Sequence, residues 1–332
     1  MKSLLILRNI RVENANAITG MTFGFPAISN FLGFTHALSR MLKRDHDLTL
    51  GGCAVVCHQH HVQAYQPSGW GDYVFSLTRN PLTKEANSPA FVEEGRMHME
   101  VTLVIECNFT CNALDFGADN IEQATYLLEL YIQKAVQRLR LAGGTILGMR
   151  MQKPVQFAEI PESSDDLEKF KRKLMLSLLP GFVLVDRVDL LSAHVAHLRK
   201  SNPSVELIDA WLDFSALKYH VAPSSQAEQG GSGNEKIVWQ RIDKPASGWL
   251  VPISTGYKAI SPLYRNEEVA NTRDEDTPFR FVETAYSIGQ WISPHRVDTI
   301  EQLFWRYHSE GDWYLCKNQF QIAHSITETD VI

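Results

Sequence analysis

The chain has 332 residues, 44% hydrophobic and 21% charged, with a formal net charge of −6. That length suits about two domains or one large one, and the apolar fraction excludes a wholly disordered, collagen-like or coiled-coil chain. The acidity argues against a free-standing nucleic-acid binder, which usually carries a basic surface and a high pI.

The apolar run Leu4–Leu7 is broken by Arg8, too early for the roughly 7–15 apolar residues of a signal peptide. It reads as part of a first strand, Leu4–Val12. No stretch approaches the roughly 20 apolar residues of a membrane span. Five cysteines, Cys53, Cys57, Cys107, Cys111 and Cys316, are too few and too odd in number for a disulfide scaffold, so a reducing cytoplasm is the expectation.

A loop rich in amides, glycine and aromatics, Asn14–Pro26, precedes a helix marked by Ile28, Phe31, Leu32, Leu38 and Leu42 at helical spacing. Pro26 suits its first turn. Thr49–His61 reads as a second strand. Residues Arg96–Phe109 alternate apolar Met97, Met99, Val101, Leu103 and Ile105 with polar Arg96, His98, Glu100 and Thr102, so this third strand has one buried and one polar face. The excursion Tyr65–Gly95 between them is too long for a tight hairpin and is rich in Pro, Gly and Asn. A helix over Asn120–Leu141 ends at Gly143-Gly144, and Thr145–Ile160 reads as a strand region. The order β-α-β-β-α-β predicts a ferredoxin-like plan, shared by RNA-recognition domains, for residues 1–160, with an insertion at about 65–95.

Residues 161–332 predict a mixed α/β region. Helices are expected at Asp165–Leu178, Leu190–Lys200 and Ser204–Tyr219. Residues 223–234 have the composition of a flexible loop. Short strands and loops follow, including 248–262. The whole is an α+β fold class without internal repeats.

Catalytic signals are weak. Cys53-Ala-Val-Val-Cys-His-Gln-His-His61 offers zinc ligands. On a strand, however, Cys53 and Cys57 stand roughly 13 Å apart and Cys57 and His58 face opposite ways, so ordinary strand residues are expected and no metal or cofactor is implied. There is no nucleophile elbow and no phosphate-cradling lysine loop. His36, near the first helix, is the one candidate general base. It carries the alternative reading of an RNA endonuclease.

Binding signals are stronger. Residues 1–50 hold six lysines and arginines against three acids, a balance of +3 that leaves −9 for the remainder. The loop before the first helix supplies amides and backbone N–H groups that favour phosphate. The excursion mixes Trp70, Tyr73, Phe75 and Phe91 with Arg79 and Lys84, a pairing that stacks on unpaired bases. A zone of aromatics and arginines from Trp249 to Arg280 is explained by a protein interface or plain packing as well as by RNA.

Three blocks then point to one family. They are Asn14-Ala-Asn-Ala-Ile with Phe23-Gly-Phe-Pro and the helix Phe31-Leu-Gly-Phe-Thr-His-Ala-Leu; Arg79-Asn-Pro-Leu-Thr-Lys with Phe91-Val-Glu-Glu-Gly-Arg-Met-His-Met; and Gly248-Trp-Leu-Val-Pro-Ile-Ser-Thr-Gly-Tyr-Lys-Ala-Ile-Ser-Pro. Together they resemble the subunit of type I-F CRISPR surveillance complexes that caps the 5′ end of the guide RNA. The resemblance implies a RAMP-superfamily core in which Tyr65–Gly95 is the β-hairpin thumb. It implies no enzymatic activity. The implied partners are the crRNA 5′ handle, the large subunit as a heterodimer and the adjacent backbone subunit, with target DNA near the PAM as a further candidate. Within that frame Asn14 and Asn16 are candidates to bond base edges. Phe25, Phe31 and His36 are candidates to support or stack at the loop–helix junction. Arg8, Arg40, Lys43 and Arg44 are candidates for phosphates, Arg79 and Lys84 for the handle–spacer junction, and Arg96 for the open sheet face.

Overall fold

The computed structural model describes residues 3–79, 81–109, 119–222, 238–272, 274 and 276–320. The loop 223–234 and Cys111 lie outside the described residues. In chain order come strand β1 (Ser3–Asn16), helix α1 (Ile28–His46), strands β2 (Leu50–Val62) and β3 (Arg96–Cys107), helix α2 (Ile121–Arg138) and strands β4 (Arg140–Leu141), β5 (Gly144–Met149) and β6 (Val155–Glu159). The second half adds α3 (Ser164–Ser177), β7 (Phe182–Asp186), α4 (Val188–Ser201), α5 (Leu207–Ser215), β8 (Trp249–Ala259), β9 (Val282–Ile292), β10 (Trp305–Glu310) and β11 (Trp313–Asn318).

These strands form one 11-stranded sheet in the order β4-β5-β1-β3-β2-β7-β9-β8-β11-β10, with β6 beside β5 on the same edge of β1. Its first half follows the order β5-β1-β3-β2, every pair antiparallel. The second half continues outward from β2 through β7. It then returns, because Trp305 of β10 pairs with Cys53 of β2. Six strands, β2-β7-β9-β8-β11-β10, thus close into a ring, which removes the exposed edge that an open sheet would leave.

Both faces of the β1 half are buried, and the alternation of side chains decides what covers each. Leu5, Leu7, Ile10 and Val12 pack with Phe31 and Leu38 of α1 and with Leu128 and Ile132 of α2. Leu4 and Ile6 turn the other way, onto Leu174 and Met175 of α3. Helix α1 buries Ile28, Phe31, Leu32, Phe34, Leu38 and Leu42. At roughly 1.5–3 kcal/mol per fully buried apolar side chain, that face contributes on the order of 10 kcal/mol before chain entropy is counted. A third cluster seats Leu191, Trp211 and Phe214 of α4 and α5 on Leu250 and Ile288.

Several expectations change. The helix expected over Ser204–Tyr219 stops at Ser215, and Tyr219–Ala222 instead pairs with Val238–Arg241 as a ribbon. Strands expected to be short beyond residue 248 are two runs of 11 residues, Trp249–Ala259 and Val282–Ile292. Pro252 lies inside the first of these strands and is tolerated there. β11 pairs with β8 only at Gly256–Lys258, so the position of the missing N–H faces an unpaired edge. The excursion 65–95 holds two small ribbons, Ala64–Tyr65 with Val74–Phe75 and Leu77–Arg79 with Phe91–Glu93.

Candidate nucleic-acid interface

Strand β1 ends, β2 ends and β3 begins at one end of the sheet. The segment 17–27 and the excursion 65–95 therefore leave from that same end. Phe23 and Phe75 join them, with ring centroids 5.1 Å apart.

Asn14 sits at a bulge of β1 with φ 55°, a left-handed conformation that asparagine accepts more readily than most residues. Its Oδ1 accepts from Gln63 Nε2 at 2.8 Å, and its backbone N–H donates to His98 Nδ1 at 3.3 Å. Arg96 donates through Nη1 to the Asn14 carbonyl at 3.4 Å and through Nε to Glu94 at 2.7 Å. Asn16 is exposed and closes on Ile18, accepting from its N–H at 3.1 Å and donating to its carbonyl at 2.7 Å. The structure thus brings Asn14 and Arg96 into contact and adds Gln63 and His98, which the sequence reading did not single out.

A polar shelf extends from this cluster along the sheet. Arg11, Gln59, His61, His98, Glu100 and Arg150 line a cleft of about 430 Å³. The registers Arg11–Glu100–Gln59 and His98–His61 place these side chains on one face. Arg150 faces Glu100 at 3.6 Å, and Asn9 donates to the same carboxylate at 2.8 Å. The alternation of β3 predicted this face. Its β2 half was hidden because a bulge between Cys57 and Gln59 shifts the register there, so simple alternation from Cys53 assigns those residues wrongly.

His36, Arg40 and Lys43 are exposed on the outer side of α1. Among the described residues no hydrogen bond orients the His36 ring. Lys43, Arg44 and His46 occupy the last turn, where the helix dipole favours cations. Arg44 is held by Asp45 through two bonds of 2.6 and 2.9 Å. Arg40 and Lys43 stand three turns or more from the N-terminus of α1, about 18 Å or more along its axis, so they form a separate patch from the Asn14 cluster. On the excursion, Arg79 lies over Phe91, 4.0 Å from the ring centroid, while Lys84 is exposed in a turn.

Two candidates are otherwise engaged. Phe31 is 0% exposed, so it offers no face for a base. Its part is support, stacked 5.6 Å from Phe25. Arg8 is half-buried, and its guanidinium donates to Gln156 Oε1 at 3.0 Å, Ser177 O at 3.0 Å and Ser177 Oγ at 3.1 Å. Burial lowers its pKa from the ordinary arginine value.

Metal ligation finds no cluster among the described residues. Burial pushes the thiols of Cys53, Cys57, Cys107 and Cys316 up to about 12, away from the thiolate form that binds metal or attacks substrate. His58 bridges Pro180 O at 2.6 Å and Thr102 Oγ1 at 2.7 Å.

The class defined by these features is a mixed α/β protein built on one large antiparallel sheet, with polar and cationic side chains gathered at one sheet end and along one helix. The family model for the CRISPR-associated protein Cas_Csy2 matches residues 5–316. A CRISPR-associated protein Csy2 from Pseudomonas aeruginosa (strain UCBPP-PA14) is 40% identical over 316 residues, covering 94% of this chain and 93% of the relative. The chain belongs to the Cas_Csy2 family of CRISPR-associated proteins, and the resemblance carried by the three sequence blocks is borne out.

Proposed function

We propose that this chain is a non-catalytic subunit of a type I-F CRISPR RNA-guided surveillance complex in the cytoplasm. It binds the crRNA 5′ handle, pairs with the large subunit and caps the backbone filament, and so supports recognition of invading DNA. Its first 160 residues are a ferredoxin-like RAMP domain with the excursion 65–95 as thumb. Supporting this are the strand order β5-β1-β3-β2 and the helices α1 and α2 on one face. No helix among the described residues is long and apolar enough to cross a membrane.

The observation that carries the reading is the convergence at one sheet end. Asn14, Gln63, Arg96 and His98 form one bonded cluster between the loop and the excursion. Amides and imidazoles there can read base edges, while Arg40 and Lys43 supply a separate phosphate contact. The formal net charge of −6 fits a subunit that grips a few nucleotides and leaves most phosphate neutralisation to its neighbours.

Co-expression with the other subunits and a CRISPR array tests this. Capture through this chain should recover the large subunit and a small RNA of uniform 5′ end. Replacing Gln63, Arg96 and His98 with alanine should weaken retention of that RNA at least tenfold. Unchanged retention by that variant would remove the cluster from the RNA site, and capture of subunits without RNA would overturn the reading.

A further inference from the structure

Strand β1 carries a bulge where Glu13 and Asn14 together oppose His98 alone, between the pairs Val12–Met99 and Ala15–Met97. Asn14 therefore lacks a ladder partner on β3, and its left-handed φ of 55° persists only where neighbouring groups hold it. Each polar part of the residue is held by a different side chain. The backbone N–H donates to His98 Nδ1 at 3.3 Å, the carbonyl accepts from Arg96 Nη1 at 3.4 Å, and the side-chain amide meets Gln63 Nε2 at 2.8 Å.

The first of these contacts fixes the state of the His98 ring. A backbone N–H only donates, so Nδ1 must offer a lone pair, and the proton of a neutral ring sits on Nε2. Nε2 stands 3.0 Å from the Gln63 amide. A half-turn of that amide exchanges donor for acceptor, and the exposed Asn14 amide can follow it. A charged imidazolium carries protons on both nitrogens. The proton on Nδ1 then points at a donor that cannot turn away, and the hold on the Asn14 backbone is lost. The other ionisable groups around the ring are Arg11 and Glu13 of β1, His60 and His61 of β2, Glu100, Arg150, and Arg96 with its partner Glu94. The arginines and glutamates offset one another, which leaves the fixed N–H donor to decide the outcome. The His61 ring lies 6.4 Å from that of His98, so a charge on both rings would repel.

We infer, on the guide-binding reading above, that His98 is a positioning residue sensitive to acid. While neutral it fixes Asn14 at the bulge for contact with the 5′ handle. On protonation it releases Asn14 and weakens the grip. Histidine is the side chain that ordinarily changes charge between about pH 5 and 8. A histidine that met phosphate directly would act in the opposite sense, because acid would add a cation and tighten binding.

The test uses this chain assembled with its partner subunits, and filter binding of labelled guide RNA at fixed salt and two pH values. From pH 7.5 to pH 5.5 the wild-type affinity should fall by about 5-fold, the scale of one hydrogen bond. At pH 7.5 His98→Ala should lose a similar factor. His98→Asn places an amide oxygen near the position of Nδ1 and should restore most of that loss. Neither variant should weaken further at pH 5.5. The wild-type profile needs no variant, so it stands even where a substitution disturbs folding. Wild-type binding that holds or tightens in acid would overturn the inference, as would a His98→Asn assembly that weakens in acid as much as the wild type. A wild type that binds no guide at pH 7.5 fails the guide-binding reading itself, whereas one that binds and ignores pH fails only the role given to His98.

Discussion

Arg306 on β10 grips Glu106 on β3 with both prongs, Nη2 to Oε1 at 2.7 Å and Nε to Oε2 at 2.9 Å. The pair reaches across β2, whose Gly52 N–H donates to the same Oε2 at 2.9 Å. A Cβ at Gly52 would lie 2.6 Å from that oxygen and 2.9 Å from Arg306 Cγ, so the glycine makes room for the bridge between the two halves of the sheet.

Burial by itself raises the Glu106 pKa, but the hydrogen bonds and charge of Arg306, with the Gly52 N–H, outweigh it and hold the carboxyl below its ordinary value. A depressed carboxylate contributes stability above its unfolded pKa and loses it as pH falls through the folded value. Glu106→Gln should therefore cost about 1–2 kcal/mol at pH 7. In urea unfolding its difference from the wild type should shrink by pH 3. A gap of constant size would show that charge plays no part.

Asp186 should behave in the opposite sense. Burial pushes its carboxyl up to about 6, against the bonds it accepts from Ser287 Oγ at 2.7 Å and Val188 N–H at 3.1 Å. A pKa raised on folding costs stability above the folded value, and that cost is relieved as pH falls from about 6 towards the unfolded value near 3.9. Asp186→Asn keeps the accepting oxygen and should stabilise the protein by on the order of 2 kcal/mol at pH 8, with the gain gone at pH 4. Thermal unfolding at the two pH values reads this directly.

Two glycine-to-alanine changes should differ in sign. Gly33 is on the exposed side of α1, and the nearest atom to an added Cβ is Tyr307 Oη at 3.9 Å. Gly33→Ala should stabilise by roughly 0.5–1 kcal/mol through helix propensity. Gly256 adopts φ +142° at the β8 bulge, where a Cβ would lie 2.1 Å from the Tyr314 carbonyl oxygen. Gly256→Ala should cost at least about 2 kcal/mol. Denaturant midpoints for both variants provide the comparison.

Among the basic candidates, Arg40 and Arg8 should separate by salt dependence. Arg40→Gln should lower guide affinity and reduce the salt slope of log K by about 1, because a phosphate contact releases counterions. Arg8→Gln should leave that slope unchanged and lower stability by about 1 kcal/mol, since its donors hold Gln156 and Ser177. A reduced slope for Arg8→Gln would return it to the phosphate set.

Local patterns were legible where one face of an element is buried. The 28–42 stripe yielded α1, and the alternation from Met97 to Ile105 yielded β3. The strand Phe182–Asp186 passed unread, because five residues packed between neighbours carry no alternation long enough to separate strand from loop. Asn14 and Arg96 were legible as polar residues in the right places. Gln63 and His98 were not, because their value comes from pairing Asn14 across strands, 49 and 84 residues distant.

From the sequence alone came the order of elements in the first half, the basic bias of the first 50 residues and the family, since these depend on local periodicity, composition and contiguous motifs. Tertiary structure decided the return of β10 onto β2, the inward commitment of Arg8 and Phe31, and the meeting of Phe25 with Trp249 around one cleft. Each depends on contacts between residues more than 100 positions apart or on which face of an element is covered, and chain order does not specify either.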